Sequence, residues 1–125
     1  MVITTAAGAK RLAGQRIPET VEIRAVRSRG SLIAPTTICS EICRAGGVKQ
    51  ILLESGPRLT ADFYEQRLVS EQFLTLAPQI AGRKADDGRL GMIMGRQFAP
   101  RNPLWGRLVD VRQAGSHLFL RYSFV

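Results

Sequence analysis

The sequence predicts an α/β domain, a three-layer α/β/α arrangement around a mixed, mostly parallel sheet closed by a C-terminal antiparallel hairpin. Three observations predict it. Short β-prone runs alternate with helix-length amphipathic stretches through the first half of the chain. The apolar run Val48 to Leu53 reads as a strand covered on both faces, as in parallel sheets between helices. The final run, Leu118 to Phe124, alternates apolar and polar residues behind a glycine-containing turn, which marks an antiparallel hairpin.

The elements follow in order. Val2-Ile3-Thr4-Thr5 is β-prone and gives way to a short helix from Ala6 that Gly14 ends. Thr20 to Val26 alternates as a strand near a sheet edge. Past the turn-rich Ser28 to Ser31 and the breaker Pro35, Thr36 or Thr37 caps a helix whose stripe is Ile38, Cys39, Ile42 and Cys43. Gly46-Gly47 stops it, and the strand Val48 to Leu53 comes next. Pro57 suits the first position of a further helix, on which Leu59 and Phe63 pack inward while Arg58, Asp62 and Glu65 face outward. Phe73 to Pro78 is another strand, and Leu108 to Arg112 pairs with the final run around Ala114-Gly115-Ser116-His117. Between them, Gly82 to Pro103 is a connection of about 20 residues, a length that points to function or mobility.

Composition bounds the function. The 125 residues are 45% hydrophobic and 22% charged, which suits one globular domain, 1–125, without disulfides or metals to hold it. No apolar run approaches the roughly 20 residues of a membrane span, and no basic segment precedes an apolar one, so the expectation is a cytoplasmic chain with no membrane partner. Cys39 and Cys43 stand i, i+4 on one helical face and read as buried structural thiols. The net charge is +8, but the basic residues spread from Lys10 to Arg121. The richest stretch carries Arg83, Lys84, Arg89, Arg96, Arg101 and Arg107 against Asp86 and Asp87, with few interleaved aromatics. That argues against nucleic acid, and an anionic small ligand such as a phosphorylated metabolite accounts for the mild positive field equally well.

Candidate chemistry concentrates at Glu54-Ser55-Gly56-Pro57. A glycine-opened turn from strand to helix offers backbone N–H groups and a helix dipole to an anion, with the Ser55 and Thr60 hydroxyls alongside. The same residues also serve as a plain tight turn, since neither Walker A nor the G-x-G-x-x-G pattern is present. Glu54 sits at the carboxyl edge of its strand, where it meets a ligand, pairs with an arginine or caps the helix. His117 reads as a turn residue and Asp86-Asp87 as solvated carboxylates. A site this poor in acid–base groups fits hydride transfer from a bound cofactor.

The run Ile51-Leu52-Leu53-Glu54-Ser55-Gly56-Pro57-Arg58-Leu59 resembles the C-terminal reductase domain of the bacterial bifunctional riboflavin-biosynthesis deaminase–reductase, a dihydrofolate-reductase-like fold. Leu68 to Gly82, the N-terminal Val2 to Thr5 and the closing Ala114 to Tyr122 match in order. The resemblance implies NADPH-dependent reduction of a ribosylaminopyrimidine phosphate, with the ribose opened to a ribityl chain. It implies that Glu54 contacts substrate and that Gly56, Pro57, Arg58, Leu59, Thr60, Ala61 and Asp62 contact NADPH. Ser55 stands where many members have glycine. The resemblance covers nearly all of this chain but about the C-terminal half of the family domain, so the expectation is a form truncated at its N-terminus. That form is either a reductase or a non-catalytic remnant, an anion-binding module with a basic surface. Family members are commonly dimers, and a homodimer is expected here.

Overall fold

A computed structural model describes every residue except Arg83 and Ala85, so the Arg83 of the basic segment lies outside the described residues. The described residues form a small α/β protein with three helices and five strands, the strands in two sheets, and the chain divides into two compact units, Met1–Glu54 and Ser55–Val125. No helix among the described residues is long and apolar enough to cross a membrane.

In the first unit, β1 (Val2–Thr5) runs directly into α1 (Ala6–Leu12). Thr5 makes this abrupt change possible, because it keeps an extended backbone while its Oγ1 accepts the Gly8 N–H at 3.0 Å. β2 (Ile23–Val26) lies parallel to β1 in the register Val2 to Ile23 through Thr5 to Val26. In a sheet of two strands each is an edge, which suits the alternation of the 20–26 run. α2 (Pro35–Arg44) starts earlier than expected. Ala34 is the residue before its first turn, no side chain caps it, and Pro35 opens the helix instead of breaking the chain before it. The physical reason is that the first helical N–H has no intrahelical partner, so proline loses nothing there. The helix ends at Gly46 and Gly47, both in the left-handed region. Arg24 ties β2 to α2, donating to the Glu41 carbonyl at 3.0 Å and facing its carboxylate at 3.6 Å.

Two expectations are corrected here. Val48 to Leu53 forms no strand and Leu52 is 77% exposed. A doubly covered parallel strand needs a neighbour to carry its hydrogen bonds, and β1 and β2 pair only with each other. The thiols are also more open than expected, with Cys39 half-buried and Cys43 exposed.

The second unit begins with α3 (Pro57–Glu65) and continues with β3 (Glu71–Leu76), β4 (Arg107–Ala114) and β5 (His117–Ser123). These strands form an antiparallel sheet in the order β3-β5-β4, so strand pairing in the chain as a whole is mixed, in two sheets instead of the one expected. The hairpin turns at Gly115, whose φ of 55° only glycine adopts freely. The core is carried by α3. Ala61, Phe63 and Tyr64 are its buried apolar residues. The Tyr64 ring meets Phe124 edge-on with centroids 5.4 Å apart, and its hydroxyl donates to Gln72 Oε1 at 2.9 Å. On the sheet, Arg121 pairs with Glu71 and lies 5.7 Å above the exposed Phe73 ring.

Candidate functional site

The residues singled out by the sequence are a turn and a helix start. Gly56 adopts φ −64° and ψ 156°, an extended conformation, and α3 follows with Pro57 in its first turn. No side chain caps this end; Pro57 has no N–H and the Thr60 N–H donates to the Gly56 carbonyl at 3.1 Å, so the free first-turn donors are the N–H groups of Arg58 and Leu59. Ser55 Oγ and Thr60 Oγ1 stand 2.9 Å apart at the same end, both within reach of solvent. Ser55 does not occupy the left-handed region, so its side chain carries no backbone strain there. A Cβ built on Gly56 meets nothing within 4 Å, which leaves open space over the turn.

The remaining cofactor candidates divide by burial. Arg58 is exposed, whereas Pro57, Leu59 and Thr60 are half-buried. Ala61 is wholly enclosed, so its methyl belongs to the core. Asp62 holds Arg96 at 2.9 Å, and the same guanidinium reaches Glu65 Oε2 at 2.9 Å. Glu54, the candidate substrate contact, is exposed and is the last residue of the first unit. Elsewhere, His117 is exposed at the start of β5, and Asp87 is engaged by Arg89.

The long connection is anchored along α3. The Met94 N–H donates to the Pro57 carbonyl at 3.2 Å, Arg96 bridges Asp62 and Glu65, and Arg67 reaches Asn102 Oδ1 at 3.4 Å. Sequence reasoning did not single out Arg67 or Arg96 as pocket residues. Nothing in the chain's order pairs Arg96 with Asp62. Arg67 stands where a glycine usually ends a helix, so no sequence signal marks that end.

No family model matches the chain, and no curated protein matches it.

Proposed function

We propose that the chain is a reductase domain of dihydrofolate-reductase-like architecture. It uses NADPH to reduce a ribosylaminopyrimidine phosphate of the riboflavin-biosynthesis type. The observation that carries this reading is the uncapped start of α3, where the Ser55 and Thr60 hydroxyls face each other beside an open glycine. Free N–H groups, a positive dipole end and paired hydroxyls make a good cradle for a phosphate oxygen. The cofactor supplies the hydride, which suits a turn that offers hydrogen-bond donors and no general acid. In this reading Ser55, Gly56, Arg58 and Thr60 hold cofactor phosphate, Pro57 and Leu59 shape the helix start, Ala61 supports it from the core, and Asp62, paired with Arg96, borders it. Glu54 contacts substrate. The protein works in the cytoplasm as a homodimer on a small phosphorylated molecule, with no nucleic-acid or membrane partner.

A thermal-shift titration with NADPH, NADH and an unrelated nucleotide tests this. NADPH at a hundredfold excess over Kd is expected to add about 2.7 kcal/mol of stability. Thr60→Val is expected to reduce that shift. An equal response to every nucleotide would instead favour a non-catalytic anion-binding module, and no response would remove the cofactor site altogether.

A further inference from the structure

The C-terminal end of α3 carries a second feature, which does not depend on the reductase reading because the turn at 55–60 lies at the opposite end of the same helix. A cavity of about 390 Å³ lies there, lined by Glu65, Arg67, Arg96, Phe98, Asn102 and Leu104. It is open to solvent, its lining is mostly polar and exposed, and the half-buried Phe98 and Leu104 supply its apolar part.

Arg67 is the residue that calls for explanation. The helix closes with Leu68 N–H donating to the Phe63 carbonyl at 3.0 Å and Arg67 N–H to the Tyr64 carbonyl at 3.1 Å, the bonding of a Schellman end. That motif places Arg67 in the left-handed region, at φ 55°, and it is the one non-glycine residue there among the described residues. Glycine would adopt this conformation without strain. The chain instead keeps a guanidinium at the cavity, with a hydrogen bond of only 3.4 Å to Asn102 and no carboxylate of the described residues within ion-pair distance. Backbone strain maintained at a cavity is a mark of function. Glu65, the acidic residue of the lining, is engaged by Arg96 and so is not a bare negative charge.

We propose that this cavity binds a small organic oxyanion, a phosphate ester or carboxylate carried on a compact apolar ring. Arg67 takes the oxyanion with its planar fork of donors, Asn102 orients that fork, and Phe98 and Leu104 cover the ring.

The test is a titration of the full chain with phenyl phosphate, benzoate, inorganic phosphate and benzyl alcohol, followed by backbone-amide NMR shifts. Phenyl phosphate or benzoate is expected to give saturable shifts at Gly95, Arg96 and Asn102, the tighter of the two naming the oxyanion. Inorganic phosphate is expected to bind more weakly, and the alcohol not at all. Arg67→Gly is expected to weaken binding about tenfold or more, equivalent to about 1.4 kcal/mol, without lowering the melting temperature. Arg67→Lys keeps the charge and should fall between. Unchanged affinity in Arg67→Gly, shifts confined to 56–60, a response to the alcohol equal to that of the anions, or no saturable shift would each overturn the proposal.

Discussion

At Gly8, helix propensity and packing pull in opposite directions. Alanine is better than glycine inside a helix by about 1 kcal/mol. A Cβ there would clash with Thr4 Oγ1 and lie 3.3 Å from Thr4 Cβ, and overpacking costs about 1–3 kcal/mol. Packing wins, so Gly8→Ala is expected to destabilise by about 1 kcal/mol in chemical denaturation. A gain would mean that the threonine hydroxyl turns aside freely. Gly56 is the opposite case, because its Cβ would meet open space. Gly56→Ala is expected to leave stability within about 0.5 kcal/mol while weakening NADPH binding, and unchanged binding would remove the close approach from the proposed site. Burial pushes the Cys39 thiol up, with Cys43 close by adding to the effect. Cys43 is exposed, so it should react first with a thiol reagent, and Cys43→Ser should abolish the fast phase. Burial likewise raises the Tyr64 hydroxyl above the usual phenol range. The folded chain then holds a proton that the unfolded chain releases near pH 10. Stability from this group is full below about pH 10 and falls as pH rises through the folded value. The alkaline slope of stability is expected to be shallower in Tyr64→Phe; identical slopes would assign it to other groups.

Among the elements, α3 carries most of the energetics that can be named. Truncating Phe63, 5% exposed, to alanine is expected to cost about 3 kcal/mol or more, because the surrounding side chains cannot close the void. The same helix shows how a sequence rule can be right about existence and silent about detail. Its start was legible from Gly56-Pro57 and its inward face from Phe63. Its end was not, because Arg67 takes a conformation that costs an L-residue about 1–2 kcal/mol and that only the carbonyls of the last turn impose. The hairpin was legible in the alternation of β5 and in Gly115. The irregularity between Leu108 and Asp110 was not. It shifts the register by one residue and brings Asp110 opposite Arg121, a matter of strand pairing that composition does not encode.

For the whole molecule, the test case is Val48 to Leu53, whose composition says strand and whose surroundings provide no partner. Amide hydrogen exchange is expected to be fast there and slow along β5, the central strand of its sheet, and slow exchange at 48–53 would show that the segment does pair. By itself the sequence determined what local physics controls. It set the α/β alternation, the strand-to-helix change at Thr5, the proline opening of α3, the glycine end of α2 and the closing hairpin, because each depends on φ preferences, caps and periodicity within a few residues. The candidate turn at 55–60 was legible for the same reason. The tertiary structure alone decided that the strands divide into two sheets, that Val48 to Leu53 stays outside both, and that the long connection meets α3 through Arg96 on Asp62 and Glu65 and through Asn102 on Arg67. Those outcomes depend on which distant groups find partners for hydrogen bonds and charges, and partners distant in sequence leave no periodic trace along the chain.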